Sequence, residues 1–327
     1  MKTLALIGCS GMVYDFLYEY TKQLDVRLVA VCGTEDETER FCRMYAAPAR
    51  FVSYCDMLEK VAPELVIAFP TDESMQFTVV KDCLLAGADV LCERPVCHSR
   101  EEGEQLVALC RQTGHFVMPR YNRRYMPTYL AAKEIVRSKP FGRSYMYASG
   151  FHAGAYSSES AFVNNHIGHH LDLARMLLGE VSITHVERIG ESDQRVGYNI
   201  LFRADCGTLG VIQSNSFLCM DYPMERVEIA GNERQVVVEN VRALRYNQPQ
   251  AKISDSQVWD FLADGGTKAL NLNNNQLNNF TFYGFEEMVR EFVRCSKLHI
   301  KPLQDIEDAL ETYKLIETLE GYMGSMV

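Results

Sequence analysis

The sequence lacks several features that mark particular classes of protein. Its 327 residues contain no C-x-x-C pair, no block of Lys and Arg, no internal repeat and no apolar stretch as long as a membrane-spanning helix. The 11 cysteines are odd in number and scattered, so they predict neither a disulfide framework nor a thiolate zinc site. Free thiols in a reducing cytoplasm fit this pattern, and the missing apolar stretch argues against an α-helical membrane span.

The overall charge is acidic. A net charge of -10 argues against a nucleic-acid or anionic-membrane partner, since either would require a clustered excess of Lys and Arg. With 47% hydrophobic and 23% charged residues, the composition is that of an ordinary globular protein, and the length suffices for two domains.

The first third of the chain alternates between strand and helix patterns. Short apolar runs at residues 4–7, 28–32, 65–68, 90–92 and 116–118 are separated by segments of helical periodicity at 13–24, 72–86 and 100–113. This alternation predicts a doubly wound parallel α/β sheet over residues 1–120. Such sheets bind ligands at the carboxyl ends of their strands.

The rhythm changes after residue 120. Helix patterns at 127–138 and in the His-rich segment precede strand-like runs at 196–202, 209–214, 226–229 and 235–239, and amphipathic segments at 285–295 and 306–322 close the chain. The pattern predicts an α+β domain over residues 121–327, built on a largely antiparallel, open-faced sheet. Residues 247–279, rich in Asn, Gln and Asp, are predicted to form a long surface loop.

An altered dinucleotide fingerprint follows the first predicted strand. Gly8, Ser10, Gly11 and Met12 lie where G-x-G-x-x-G joins a strand to a helix, but Ser10 and Val13 replace two of the three glycines. Gly8 and Gly11 still allow a tight turn, and the helix N-terminus offers free N–H groups to a phosphate. We therefore predict that Gly8, Ser10, Gly11 and Met12 contact a dinucleotide.

Acidic residues follow the second predicted strand. Glu35 or Asp36 could accept a hydrogen bond from a ribose 2'-hydroxyl, and their charge would repel a 2'-phosphate, which favours NAD over NADP. Pro70, Glu93 and Arg94, which follow later strands, complete the predicted cofactor-binding residues.

Residues 165–172 place three imidazoles, a carboxamide and a carboxylate together. If the segment is α-helical, Asn165, His169 and Asp172 share one face, which could hold a substrate hydroxyl beside a base. His166, His169 and Asp172 could instead bind a metal ion, but the H-E-x-x-H order is missing, and we predict no metal site. Buried structural histidines are the remaining alternative.

Three of these motifs together resemble the Gfo/Idh/MocA family, which is named after glucose-fructose oxidoreductase and inositol dehydrogenase. They are Cys92-Glu93-Arg94-Pro95, Tyr121-Asn122-Arg123-Arg124 and Asn165-x-x-x-His169-x-x-Asp172. Further similar segments extend the resemblance over nearly the whole chain. It implies an N-terminal Rossmann domain that holds a nicotinamide cofactor, a sheet domain often used for oligomerisation, and hydride transfer from a sugar or polyol carbon.

The resemblance also implies residue roles, and two of the three catalytic positions depart from the family pattern. Arg94 stands where the family has a lysine, Asn165 where it has an aspartate, and His169 where it has a histidine. Arg94 can polarise a hydroxyl but stays protonated, and Asn165 can orient a base but cannot stabilise its positive charge. His169 is therefore the predicted base, because its unperturbed pKa lies near neutral pH.

The predicted substrate-binding residues are Tyr121, Arg123, Tyr156, His166 and His170. Four of them have a structural alternative: Tyr121 and Arg123 could lie in an exposed loop, and His166 and His170 could be structural. Arg94 could likewise form a surface ion pair with Glu93 or another carboxylate.

Three functions remain open at this stage. The first is NAD(P)-dependent oxidation of a CH–OH group in a sugar, polyol or derivative. The second is a net non-redox reaction, an elimination or epimerisation through transient oxidation by tightly bound NAD. The third is a regulatory binding protein that has lost catalysis. For each, a homodimer or homotetramer formed through the C-terminal sheet is expected.

Overall fold

The computed structural model of the protein describes residues 1–8, 21, 24–45, 49–221, 223–249, 266–271 and 279–323. The chain forms two compact units. The first comprises Met1–Asn122 and Phe285–Tyr313, and the second comprises Arg123–Gly284 and Lys314–Val327. Each unit has its own buried core.

The first unit contains a six-stranded parallel sheet. Its strands are β1 (Lys2–Ile7), β2 (Val26–Cys32), β3 (Arg50–Phe51), β4 (Leu65–Ala68), β5 (Asp89–Cys92) and β6 (Val117–Pro119). They are ordered β3-β2-β1-β4-β5-β6, the doubly wound order of dinucleotide-binding domains. The predicted parallel α/β sheet is therefore confirmed.

Between these strands the described residues form helices in the alternation expected. They are α1 (Glu35–Met44), α2 (Tyr54–Val61), α3 (Gln76–Leu85) and α4 (Arg100–Thr113), with a 3-10 turn at Glu73–Met75. Helix α4 begins and ends as its sequence dictates, since the Ser99 side chain caps the first turn and Gly114 adopts a left-handed conformation after the last. All four residues of β4 are buried, as expected for a strand covered on both faces.

The second unit contains an eight-stranded sheet. Its strands are β7 (Ser144–His152), β8 (Val181–Ser192), β9 (Arg195–Ala204), β10 (Leu209–Asn215), β11 (Met224–Gly231), β12 (Arg234–Glu239), β13 (Ala243–Gln248) and β14 (Gly266–Asn271). The order is β14-β13-β12-β11-β7-β10-β9-β8. All neighbours are antiparallel except β7 and β10, so the predicted largely antiparallel sheet is confirmed.

Helices cover one face of this sheet. Four described helices belong wholly to this unit. They are α5 (Pro127–Arg137), α6 (Glu159–Phe162), α7 (Gly168–Leu178) and α8 (Asn279–Phe282). Every residue of α7 is buried. Along β9, Ile200 and Phe202 are buried, whereas Leu201 between them is 44% exposed, so the opposite face of the sheet is open.

The last two helices are α9 (Phe285–Leu298) and α10 (Ile306–Glu320). Both were predicted in the second domain, but α9 and the first part of α10 pack with the first unit. The Phe292 ring of α9 meets the Phe116 ring edge-on at 5.9 Å, and Ile306 joins the core beneath the parallel sheet.

Two expectations about local structure were wrong. The predicted surface loop 247–279 contains β14, which pairs antiparallel with β13, because tertiary pairing overrides the polar composition of that segment. The His-rich segment is not α-helical throughout, since residues Val163–Ile167 form a π-helical turn before α7. Most of the predicted helix 13–24 and of the Asn-rich run lies outside the described residues.

Two further predictions concern the described residues alone. Ten of the eleven cysteines lie in the described residues, and all ten are free thiols. Within the same part of the chain, no helix is long and apolar enough to cross a membrane.

Candidate functional site

Gly8 lies directly after β1, at the carboxyl edge of the parallel sheet. Its φ is +84°, and a Cβ atom at this position would lie 1.6 Å from the carbonyl oxygen of Phe69. The Phe69 N–H donates to the carbonyl of Ile7 at 2.7 Å, which holds the two chain segments together. Glycine is therefore required here by backbone packing. Ser10, Gly11 and Met12, predicted to contact the cofactor, lie outside the described residues.

Glu35 and Pro70 lie at the same edge of the sheet. Glu35 is exposed in the first turn of α1. The neighbouring Glu37 carboxylate accepts hydrogen bonds from the Thr34 N–H and from the Thr71 hydroxyl, the latter at 3.1 Å. Because Thr71 follows the half-buried Pro70, this contact ties the start of α1 to the segment after β4.

Glu93 and Arg94 follow β5 and belong to a compact polar cluster. Arg120 Nε donates to both Glu93 oxygens, at 2.9 and 2.7 Å, and the Arg94 N–H donates to Glu93 Oε1 at 2.9 Å. Arg94 Nε donates to the Arg120 carbonyl at 3.1 Å, and its guanidinium lies 5.4 Å from the Tyr121 ring centre.

The burial of Arg94 contradicts one alternative. Arg94 is only 6% exposed, so it does not lie at the protein surface, and the Glu93 carboxylate is held by Arg120. Tyr121 is also buried, which contradicts the alternative of an exposed aromatic loop. Arg120 was not among the predicted site residues, because its contact with Glu93 joins the ends of two neighbouring strands and no local motif marks it.

The His-rich segment places its residues in different environments. Asn165 is exposed on the π-helical turn, whereas His169 on α7 is 2% exposed. Asp172 is fully buried, and Arg124 donates to both of its oxygens, at 2.8 and 2.7 Å. The condition on which Asn165, His169 and Asp172 were expected to share one α-helical face is therefore not met, because the turn before α7 is π-helical.

His166 lies in an aromatic cluster. Its ring stacks on Phe151 with centroids 3.8 Å apart, and the Tyr156 ring meets it edge-on at 5.0 Å. The Tyr156 hydroxyl also hydrogen bonds with His166 Nε2. His166 and Tyr156, both predicted to bind substrate, are thus brought together by the structure, and both remain partly exposed.

Arg123 forms a buried ion pair that the sequence did not indicate. Its guanidinium donates to both oxygens of Glu225 on β11, and the Tyr129 hydroxyl donates to Glu225 Oε1 at 2.6 Å. The same guanidinium lies 5.9 Å from the Phe151 ring centre. Arg123 is therefore not in an exposed loop, and its charge is neutralised within the protein.

Burial and charge shift the pKa values of this region. Burial opposes ionisation of Glu225, but the positive charge of Arg123 overcomes it and lowers the pKa of Glu225 to about 2. Burial lowers the pKa of His170 to about 4, so this imidazole is neutral near pH 7. Burial also raises the pKa of the Tyr156 phenol to about 12. Tyr156 is therefore a hydrogen-bond donor at neutral pH.

A metal site has little support in the described part of the chain. No group of three or more His, Cys, Asp or Glu residues there is arranged to hold an ion. The alternative based on His166, His169 and Asp172 is weakened further because Arg124 occupies both oxygens of Asp172.

The fold and motifs have known relatives. Residues 2–121 match the family described as the oxidoreductase family with an NAD-binding Rossmann fold, Gfo/Idh/MocA. Over these residues, about a third of its length, the chain is similar to the Gfo/Idh/MocA family. The fingerprint region and the Arg94 motif both fall within the matched residues.

Two curated relatives are inositol dehydrogenases. Inositol 2-dehydrogenase 2 of Saccharopolyspora erythraea is 27% identical over 55% of this chain and 55% of its own length. Inositol 2-dehydrogenase of Rhizobium meliloti is 24% identical over 67% of this chain and 69% of its own. The match to the first relative thus spans only about half of that protein.

Solved structures share the fold over nearly the whole chain. A dehydrogenase from Chromobacterium violaceum superposes with a TM-score of 0.87 at 16% identity, covering 98% of this chain and 95% of the other. An oxidoreductase from Agrobacterium radiobacter, solved in complex with NAD+, L-tartaric acid and magnesium, has a TM-score of 0.81 at 14% identity, covering 100% and 98%. At such low identity these likenesses establish the fold alone.

Proposed function

We propose that the protein is an NAD(P)-dependent oxidoreductase that acts on a CH–OH group of a sugar, a polyol or a derivative. The observation that carries this proposal is the match of residues 2–121 to an NAD-binding oxidoreductase family, on a sheet with the dinucleotide-binding strand order. The inositol dehydrogenase relatives support a polyhydroxylated substrate.

The described residues at the carboxyl edge of the parallel sheet fit a dinucleotide. Gly8 permits the tight turn after β1, and the exposed Glu35 carboxylate can accept hydrogen bonds from a ribose. Glu35 would also repel a 2'-phosphate, which supports NAD over NADP. A bound nicotinamide would supply the hydride acceptor.

In the proposed mechanism His169 takes the proton of the substrate hydroxyl. Arg94 is held by the Arg120 carbonyl and lies against Tyr121, so it is suited to polarise that hydroxyl as a fixed cation. Asn165 is exposed and offers a carboxamide to the substrate, while Tyr156 and His166 offer a second pair of polar groups beside an aromatic surface. Arg123 is assigned to positioning, because Glu225 binds its guanidinium.

A catalytically silent binding protein is the second candidate. Two departures from the family pattern favour it. Arg94 carries a permanent charge and cannot exchange a proton. Asn165 is neutral, so His169 lacks the carboxylate that the family pattern places beside it. Such a protein would bind the nucleotide or the sugar without forming reduced cofactor.

Nucleotide binding and turnover are the test. The purified protein should be titrated with NAD and with NADP, and then incubated with each nucleotide and a panel of inositols, hexoses and sugar acids while reduced nicotinamide is followed by fluorescence. We expect binding of NAD below millimolar concentration and NADH formation with at least one polyol. Binding without NADH formation favours the silent protein or a net non-redox reaction. If neither nucleotide binds below millimolar concentration, the oxidoreductase proposal fails.

A further inference from the structure

A cavity of about 280 Å³ lies in the first compact unit, at the amino ends of β5 and β6. Asp89 is the first residue of β5 and Val117 the first of β6, and both line it. Ligands of doubly wound sheets bind at the opposite, carboxyl edge. The cavity is therefore separate from the residues to which cofactor binding is assigned.

The wall of the cavity is largely apolar. Val107 of α4, Phe116 and Val117 at β6, and Ile306 of α10 contribute hydrocarbon surface. Pockets that bind small molecules combine such a surface with a few well-placed polar groups. The volume is just below the usual range for drug-sized ligands, roughly 300 Å³ and above, so the ligand must be small.

Two cations at the rim bind Glu307, and one of them, Lys301, also pairs with the buried Asp305 at 2.7 Å. Glu307 accepts hydrogen bonds from the Arg111 guanidinium and, at 2.8 Å, from Lys301 Nζ. Arg111 and Lys301 are 67% and 63% exposed, so these ion pairs stabilise the fold by no more than about 1 kcal/mol each. The side chain of Glu307 thus occupies a carboxylate position that a ligand could take over at little cost.

A fixed imidazole provides a further polar group. Asp89 accepts hydrogen bonds from His115 Nδ1 at 3.1 Å, from the Phe116 N–H at 3.2 Å and from the Ser296 hydroxyl. Because Nδ1–H donates to the buried Asp89 carboxylate, Nε2 is the acceptor nitrogen of that imidazole tautomer. His115 lines the cavity and can accept a hydrogen bond from a hydroxyl group.

We infer that this cavity binds a small aromatic carboxylic acid that carries a hydroxyl group. The ligand carboxylate replaces Glu307 between Arg111 and Lys301, the ring packs on the apolar wall, and the hydroxyl donates to His115. A guanidinium and an ammonium group together favour a carboxylate over a neutral amide. The inference does not depend on the proposed oxidoreductase activity.

The test uses 4-hydroxyphenylacetate as the probe and its neutral amide as the matched comparison, each titrated into the full-length protein by calorimetry. We expect the acid to bind about tenfold or more tightly than the amide. Glu307→Gln removes the competing carboxylate from Arg111 and leaves Lys301 paired with Asp305 alone, so it should tighten binding of the acid severalfold. The double variant Arg111→Gln, Lys301→Gln should weaken it about tenfold or more.

Two controls keep the inference falsifiable. Arg43→Gln removes an exposed arginine of α1 that pairs with Glu39 and does not line the cavity, so it should leave the affinity unchanged. Thermal unfolding checks that each variant is folded. Equal binding of acid and amide, no binding of the acid, or unchanged affinity in Glu307→Gln and in the double variant would each overturn the inference. Failure of NAD binding would leave it untouched.

Discussion

At the scale of single residues, the proposed chemistry depends on one titratable group. Arg94 keeps its charge at any accessible pH, and Asn165 carries none, so neither can exchange a proton with a substrate hydroxyl. His169 is the residue at the family's histidine position that can. The departures from the family pattern therefore concentrate the proton transfer on His169.

Replacing this imidazole tests the assignment. We expect His169→Ala to lower kcat/KM by at least about a hundredfold, the usual scale for losing an acid or base, while the affinity for NAD is retained. Steady-state kinetics with the best polyol substrate give the measurement. His185→Ala is the matched control, since His185 is an exposed residue of β8 that pairs with Glu187. An unchanged rate in His169→Ala would falsify the role of His169.

The role of a residue could be predicted from the sequence where a local motif determines that role. Gly8 was expected for its turn, and the structure adds the approach of Phe69 as a second reason. Arg120 and Glu225 could not be predicted, because their partners Glu93 and Arg123 lie on other elements and no sequence spacing joins them. Local sequence therefore indicated the candidate groups but not the residues that hold them.

At the scale of secondary-structure elements, Glu225 joins three parts of the second unit. It lies on β11, accepts from Tyr129 of α5 and binds Arg123 of the 3-10 turn Asn122–Tyr125. Removing one partner of a buried ion pair leaves an uncompensated charge, which typically costs about 3 to 5 kcal/mol. The pair should therefore stabilise the packing of α5 on the sheet.

We predict that Glu225→Gln lowers the free energy of unfolding by about 3 kcal/mol at neutral pH. The pKa of Glu225 in the folded state is about 2, below its ordinary value of 4.5, so its contribution is present above the unfolded pKa and lost as the pH falls towards 2. Urea unfolding between about pH 7 and pH 3 should therefore show the difference from wild type shrinking with acidification.

A surface glutamate serves as the control for this prediction. Glu239 on β12 is 41% exposed and pairs with Arg226 and Arg245, so Glu239→Gln should change the free energy of unfolding by no more than about 0.5 kcal/mol. A Glu225→Gln protein as stable as wild type would show that the buried pair contributes no net stability.

Element boundaries were predicted well where local signals were strong. Helix α4 has the predicted bounds because Ser99 and Gly114 mark its ends. Strand β14 was not predicted because its polar composition favours a loop, whereas its antiparallel pairing with β13 is a tertiary contact. The π-helical turn at Val163–Ile167 has the same polar and apolar composition as an α-helix, which is why a continuous α-helix was expected through Asn165.

At the scale of the whole molecule, the class of each sheet followed from the sequence but its strand order did not. Alternating strand and helix patterns indicate a parallel sheet, and consecutive strands with turns indicate an antiparallel one. The parallel pairing of β7 with β10 joins residues about sixty positions apart, such as Met146 and Leu209. No local pattern encodes such a contact.

That pairing creates an apolar strip on the open face of the eight-stranded sheet. Leu209 lies opposite Met146, and Leu201 lies opposite Val211 on the neighbouring strand pair. Met146 is 54% exposed, and Leu201 and Leu209 are each 44% exposed. Contiguous apolar surface of this kind commonly mediates association between subunits.

We therefore predict that the wild-type protein is a homodimer or homotetramer associated through this strip. The double variant Leu201→Arg, Leu209→Arg would bring unpaired charges into the interface, and we expect the dissociation constant to rise at least about a hundredfold, giving monomers in sedimentation-velocity experiments. Leu303→Arg is the control, since Leu303 is 75% exposed and belongs to the first unit. A monomeric wild type, or a double variant that sediments like wild type, would contradict association through this face.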